Sequence, residues 1–193
     1  MNQEELNGIM KRHKAWLEGK FGGERADLHG ADLRNSILED SNLQGAILWG
    51  AILEDSNLQG AILRGADLRQ SDLRSTGLQG AILDDSALQG AILRNSDLRH
   101  SDLRGADLRQ SDLRGVDIDY ASWPLWCGSL KAYVDDRIAI QLLYHTLSVV
   151  QHSPYVSEEV KKALLSAENV RIANRFHRVG ECREIEEWEE GTK

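Results

Sequence analysis

Large rings, prolines, cysteines and long apolar runs are all scarce in this chain, and each scarcity removes a class of structure. Aromatic residues are 6% of the 193, and there are two prolines. An ordinary globular core leans on rings, so this composition points elsewhere. The two cysteines, Cys127 and Cys182, are too few for a disulfide scaffold. The opening residues MNQEELNGIMKRHK hold no apolar run of the kind a secretory leader needs. The expectation is therefore a cytoplasmic protein with reduced thiols. No stretch approaches the roughly 20 apolar residues of a membrane span, so no membrane partner is expected. Positive charge is also short: the net charge of −8 argues against general nucleic-acid binding.

Gly, Asp, Leu, Arg and Ser dominate instead, and they recur with a fixed period. From Ala26 the chain reads ADLHG, ADLRN, SILED, SNLQG, AILWG and so on to VDIDY at Tyr120, nineteen five-residue units without a slip. The third position is Leu in eighteen units and Ile118 in the last; the first is Ala or Ser except at Thr76 and Val116. A period of five suits neither an α-helix nor a two-residue strand alternation. Leu every fifth residue would advance about 140° each time around a helix and smear over its surface. A coil with four sides and one unit per side resolves this: Leu and the small residue two before it point inward. Only Ala, Ser or Thr fits beside Leu in so narrow a bore. Gly at nine of the nineteen fifth positions suits a corner.

This pattern resembles the pentapeptide repeat family, whose consensus is A(D/N)LXX. The resemblance implies a right-handed quadrilateral β-helix, an all-β solenoid, here of 4.75 coils with residues twenty apart stacked. Segments WLEGKFGGERADL (16–28), SWPLWCG (122–128), QLLYH (141–145) and FHRVGEC (176–182) are also similar to the flanks of a bacterial and phage-type subgroup of that family. The expected organisation is an N-terminal helical cap (1–25), the β-helix (26–120) and a C-terminal plug with an α-helical module (121–193).

Both ends of an open solenoid need covers. A helix over 2–19 would line one face with Leu6, Met10, His13 and Leu17, leaving Trp16 and Phe21 to plug the first coil. Trp123, Leu125 and Trp126 would plug the last. Helices are then expected from about Asp135 to Gln151, from Ser157 to about Ala167, and over Val170–Phe176.

Three constellations invite a functional reading. Isoleucines replace Asp at the outward second position at Ile37, Ile47, Ile52, Ile62, Ile82 and Ile92. Ile47, Ile52, Ile62 and Ile82 with Trp49 form a candidate interface belt. Glu39, Asp40, Asp97, Asp117 and Asp119 against Arg99 alone make the most acidic face. Cys127, His145, His177 and Cys182 could ligate zinc, but the local spacing of a finger is absent, and packing is the expected role. No catalytic residue and no cofactor-binding residue stands out, and no cofactor or small-molecule substrate is implied. Asp84-Asp85 pairs two carboxylates, but a convex rod offers no cleft for acid–base chemistry.

The preferred function is a non-enzymatic binding or scaffold protein with a protein partner, or with itself as a dimer, acting through the rod faces or the C-terminal module. A metal-binding module is one alternative. Another, carried by the resemblance, is duplex-DNA mimicry toward DNA gyrase, as in quinolone-resistance members. Charge disfavours the mimic. Residues 26–120 hold sixteen Asp/Glu and nine Arg, whereas about 23 Å of duplex, the expected rod length, presents roughly thirteen phosphates.

Overall fold

A computed structural model describes residues 1–122 and 132–174, without the side chains of Arg137, His145 and Val149. The chain divides into two compact units, Met1–Val134 and Asp135–Lys193.

The first unit is a β-solenoid whose coil is twenty residues long: every second-position residue bridges in parallel to the residue twenty further on, from Asp27↔Ile47 to Asp102↔Ser122. Each pentapeptide in the middle of the solenoid donates three ladder bonds. Leu48 N–H, for example, donates to Asp67 C=O (2.8 Å), Gly50 N–H to Arg69 C=O (2.9 Å), and Ile47 N–H back to Ala26 C=O (2.9 Å). After the last pentapeptide one further bridge forms, Asp112↔Tyr133.

Leu28 through Leu113 and Ile118 lie inside, none more than 5% exposed. The small first-position residues are buried beside them, except Ala31 and Ser41 in the first coil, which are half-buried. Five serines satisfy their hydroxyls locally, each donating to the Leu carbonyl three residues back, as Ser71 does to Leu68 (2.6 Å). The first-position N–H closes a turn onto the same carbonyl, as from Ala51 to Leu48 (3.0 Å). In that turn the fifth-position residue always has positive φ. All nineteen adopt it, ten of them without being glycine, including Gln70, Ser75 and Tyr120. Positive φ at the third residue of such a turn is the signature of type II. Gly60 meets a second demand: a Cβ there would stand 2.2 Å from Asp40 Oδ1 in the coil below.

Helix α1 (Gln3–Leu17) covers the first coil. Asn2 and Glu5 form a capping box at its start. Leu6 and His13, seven residues apart on one stripe, are its buried side chains. Trp16 and Phe21 are not the plug: Trp16 is 41% exposed and stacks on the outside of His13 (centroids 5.4 Å), and Phe21 is fully exposed. The bore, walled by Leu and Ala, has no room for an indole, and Phe21 lies past the end of the helix. The chain re-enters the solenoid through Gly22 and Gly23. A Cβ on Gly23 would meet Trp16 N at 2.3 Å.

The second unit contains α2 (Asp136–His152), α3 (Glu158–Leu164) and α4 (Ala167–Ala173). Asp135 Oδ1 accepts from Ile138 N–H (3.0 Å) and Ser157 Oγ from Val160 N–H (3.4 Å), so both helices begin on capping side chains. Tyr144, Leu147 and Val150 of α2 form a small core with Leu165, Val170 and Ala173. Among the described residues no helix is long and apolar enough to cross a membrane.

Leu73 is 1% exposed at mid-solenoid. Leu73→Ala is expected to destabilise by about 2–5 kcal/mol in chemical denaturation, because neighbouring coils are tied by ladders and cannot collapse into the void.

Candidate functional site

The outer surface of the solenoid has four faces, and the second- and fourth-position residues of each pentapeptide project from them. The twenty-residue register fixes which residues share a face.

Eleven of the nineteen second positions are Asp or Asn. In all eleven, Oδ1 accepts the backbone N–H two residues on, as Asp67 does from Arg69 (3.2 Å), Asn42 from Gln44 (3.1 Å) and Asn57 from Gln59 (3.0 Å). This is an Asx turn repeated along the rod. A period with Asp at an outward position does not by itself distinguish a turn acceptor from a solvated charge. The signal was present in Asn42 and Asn57, which keep the acceptor and drop the charge.

Seven of the aspartates also hold the arginine two residues on: Asp32–Arg34, Asp67–Arg69, Asp72–Arg74, Asp97–Arg99, Asp102–Arg104, Asp107–Arg109 and Asp112–Arg114, at 2.5–2.6 Å. Further pairs link successive coils, such as Arg64–Asp84 (2.8 Å), Arg74–Glu54 (3.3 Å) and Arg94–Asp112 (2.5 Å). The arginine hydrogen bond, seconded by the backbone N–H, lowers the Asp32 carboxyl to about 2. The same cause lowers Asp67, Asp72, Asp97, Asp102 and Asp107, and Asp112 is lowered by Arg114 and then Arg94.

The expected acidic face is therefore not a sheet of free carboxylates. Asp97 pairs with Arg99 at 2.6 Å, and Asp117 lies 3.8 Å from the same arginine. Glu39 accepts from Asn57 Nδ2 (3.2 Å), and Asp40 is folded over Gly60. Asp119 is 2% exposed instead of facing water. It lies in the last pentapeptide of the repeat.

The isoleucine belt is dispersed. Ile62 and Ile82 stack on one another, while Ile47 and Ile52 bridge to Asp67 and Asp72 on two other faces. All four are half-buried, and the Asp67–Arg69 and Asp72–Arg74 pairs lie over Ile47 and Ile52 in the next coil. Ile37 and Ile92 are the more exposed pair, at 67% and 38%. One aromatic group stands out on the Ile47 face: Trp49, 41% exposed, packs on His29 one coil below (centroids 4.5 Å, planes at 47°). A second pair, His100 and Tyr120, stacks at a corner (5.0 Å, 4°).

Trp123, Leu125 and Trp126 lie outside the described residues, as do Cys127, His177 and Cys182; His145 is on α2, with its side chain outside the description. Among the described residues no group of three or more His, Cys, Asp or Glu is placed to hold a metal.

A family model described as pentapeptide repeats matches residues 24–60, 51–90 and 81–119. Solved structures of pentapeptide repeat proteins are also similar. Rfr23 from the cyanobacterium Cyanothece 51142 is 27% identical, over 57% of this chain and 78% of its own, with a TM-score of 0.44. The protein alr5209 from Nostoc Pcc 7120 is 28% identical over 65% and 93%, with a TM-score of 0.29. A trypsin-treated variant of QnrB1, a plasmid-mediated fluoroquinolone resistance protein, is 17% identical over 64% and 72%, with a TM-score of 0.27. No curated protein matches the chain.

Two measurements check the surface chemistry. Asp67→Asn keeps the turn acceptor and loses the ion pair, so it is expected to cost under about 0.5 kcal/mol. Asp67→Ala, which loses both, is expected to cost about 1 kcal/mol. Because the carboxyl values are depressed by folding, their stabilisation is complete above about pH 4 and is lost as pH falls toward 2. Melting temperature is expected to drop over that window, and less steeply in high salt.

Proposed function

Since the chain belongs to the pentapeptide repeat family by its unbroken repeats, a right-handed β-helix, we propose that it is a non-enzymatic interaction protein. Its partner is a protein that docks on the face bearing Ile47 and Trp49. No enzymatic family is indicated by the comparisons, and the described faces carry ladders of paired charges.

The observation that carries this reading is the Trp49–His29 pair. Of the other outward residues on that face, Ile47 and Ala87 are apolar, while Asp67 holds Arg69 and Gln89 bonds to Asp107, which also holds Arg109. A half-exposed indole serves none of those purposes. Rings of this kind, desolvated by a partner and rimmed by polar groups, are what dominate protein interfaces. The charge pairing also weighs against DNA mimicry, since the cation-lined groove of a DNA-binding protein would meet arginines on every face.

An aromatic photo-crosslinking residue, which keeps a ring at position 49, placed there with position 104 as the control, tests the proposal. Arg104 has a 73% exposed side chain on another face. Discrete adducts from position 49 alone, lost on competition with unlabelled protein but not with the Trp49→Ala variant, are expected. Adducts of equal yield from both positions would overturn the assignment of the face. An adduct of doubled mass would identify the partner as a second copy.

A further inference from the structure

His13 is fully buried between α1 and the first coil. Its Nδ1 accepts a hydrogen bond from Ala26 N–H at 3.0 Å, which fixes the neutral tautomer with the proton on Nε2. Nε2 makes no well-directed hydrogen bond, although the Gln44 carbonyl lies near enough to favour its proton. Burial and then the positive charge of Arg25 hold the ring below its ordinary value. Arg25 is the charged side chain that acts on it from the solenoid, where it donates to Gly45 C=O at 2.5 Å. On its own helix Arg12 is engaged by Glu24 (3.0 Å), and the Trp16 ring stacks against the imidazole.

Everything else that α1 does for the first coil is nearby. The ladder leaves the lower edge of that coil without a coil beneath it. Gln3 stands in for one: its Oε1 accepts from Ile37 N–H (3.3 Å) and its Nε2 donates to Ile37 C=O (3.4 Å). The Met1 ammonium donates to Asp32 C=O (2.8 Å). Releasing α1 removes these contacts together and bares an unpaired strand edge with its leucines, a surface prone to pairing with another chain.

We infer that His13 is an acid-sensitive latch: a proton on Nδ1 turns the acceptor of the Ala26 hydrogen bond into a donor and frees α1 from the first coil. The ring of the released helix titrates near 6.5, as in an exposed histidine. The folded form binds the proton less readily, so closure is strongest above about pH 6.5 and weakens as pH falls below it. The open fraction rises by up to tenfold per pH unit until the folded-state value is reached.

Amide hydrogen exchange of α1 and Ile37, corrected for the intrinsic pH dependence, tests this at pH 7.5, 6.5 and 5.5. Opening is expected to increase severalfold or more between the last two, while mid-solenoid amides such as Leu73 change little. In His13→Asn, whose Oδ1 can take the Ala26 N–H without titrating, the profile is expected to be flat over that range. An unchanged wild-type profile, or the same slope in His13→Asn, overturns the latch. Should that variant not fold, NMR titration of the His13 ring in the wild type decides: a midpoint below 6.5 supports the latch, and one at or above 6.5 overturns it.

Discussion

A corner taken through a left-handed residue once every five positions is the constraint on which the first unit depends. The turn reverses the inward direction of the chain so that the next Leu meets the same bore. It must recur in step, because a single extra residue would rotate every later Leu out of register. The conformation favours glycine, yet ten of the nineteen corners carry a side chain there. Left-handed backbone costs a non-glycine residue roughly 1–2 kcal/mol. Two or three ladder bonds per pentapeptide and burial of the adjoining Leu hold these corners in place. Strain is thus spread thinly along the solenoid and offset locally by the same unit that creates it.

With the corners fixed, the surface follows. The Asx turn is the outward counterpart of the corner: the carboxylate or amide of the second position takes the fourth-position N–H, and an arginine at that fourth position then lies within reach of the same oxygens. A single short side chain thereby stabilises a turn and neutralises a charge. Where Ile occupies the second position instead, β-branching suits the strand and the ladder alone holds the unit. The faces are consequently uniform, and a group that fits neither pattern, such as Trp49 on His29, is conspicuous.

The open end of the solenoid poses a different problem, since its backbone edge has no repeat to pair with. Helix α1 meets it with side chains and a terminal ammonium rather than with strand: Gln3 imitates a peptide group, and the buried His13 takes the Ala26 N–H. Using a titratable ring for a buried hydrogen bond ties the closure of that end to pH, as a Leu at the same place would not.

The period of five, the inward Leu and the small residue beside it were legible in the sequence because burial in a narrow bore admits few side chains. The helices at Gln3–Leu17 and Asp136–His152 were legible too, from capping residues and apolar spacing. Acidic patches were not. Counting Glu39, Asp40, Asp97, Asp117 and Asp119 measures net charge on a face, but the twenty-residue register decides which carboxylate meets Arg99, folds over Gly60 or is buried. Nor could apolar content tell which ring closes the first coil: Trp16 and Phe21 are the larger hydrophobes, yet His13 lies on the stripe of α1 that faces the bore. The repeat thus determined the path of the backbone, because that path is set by local sterics and a recurring burial pattern. Only the tertiary structure decided the partners of the polar groups, because those depend on contacts between residues a full coil or more apart.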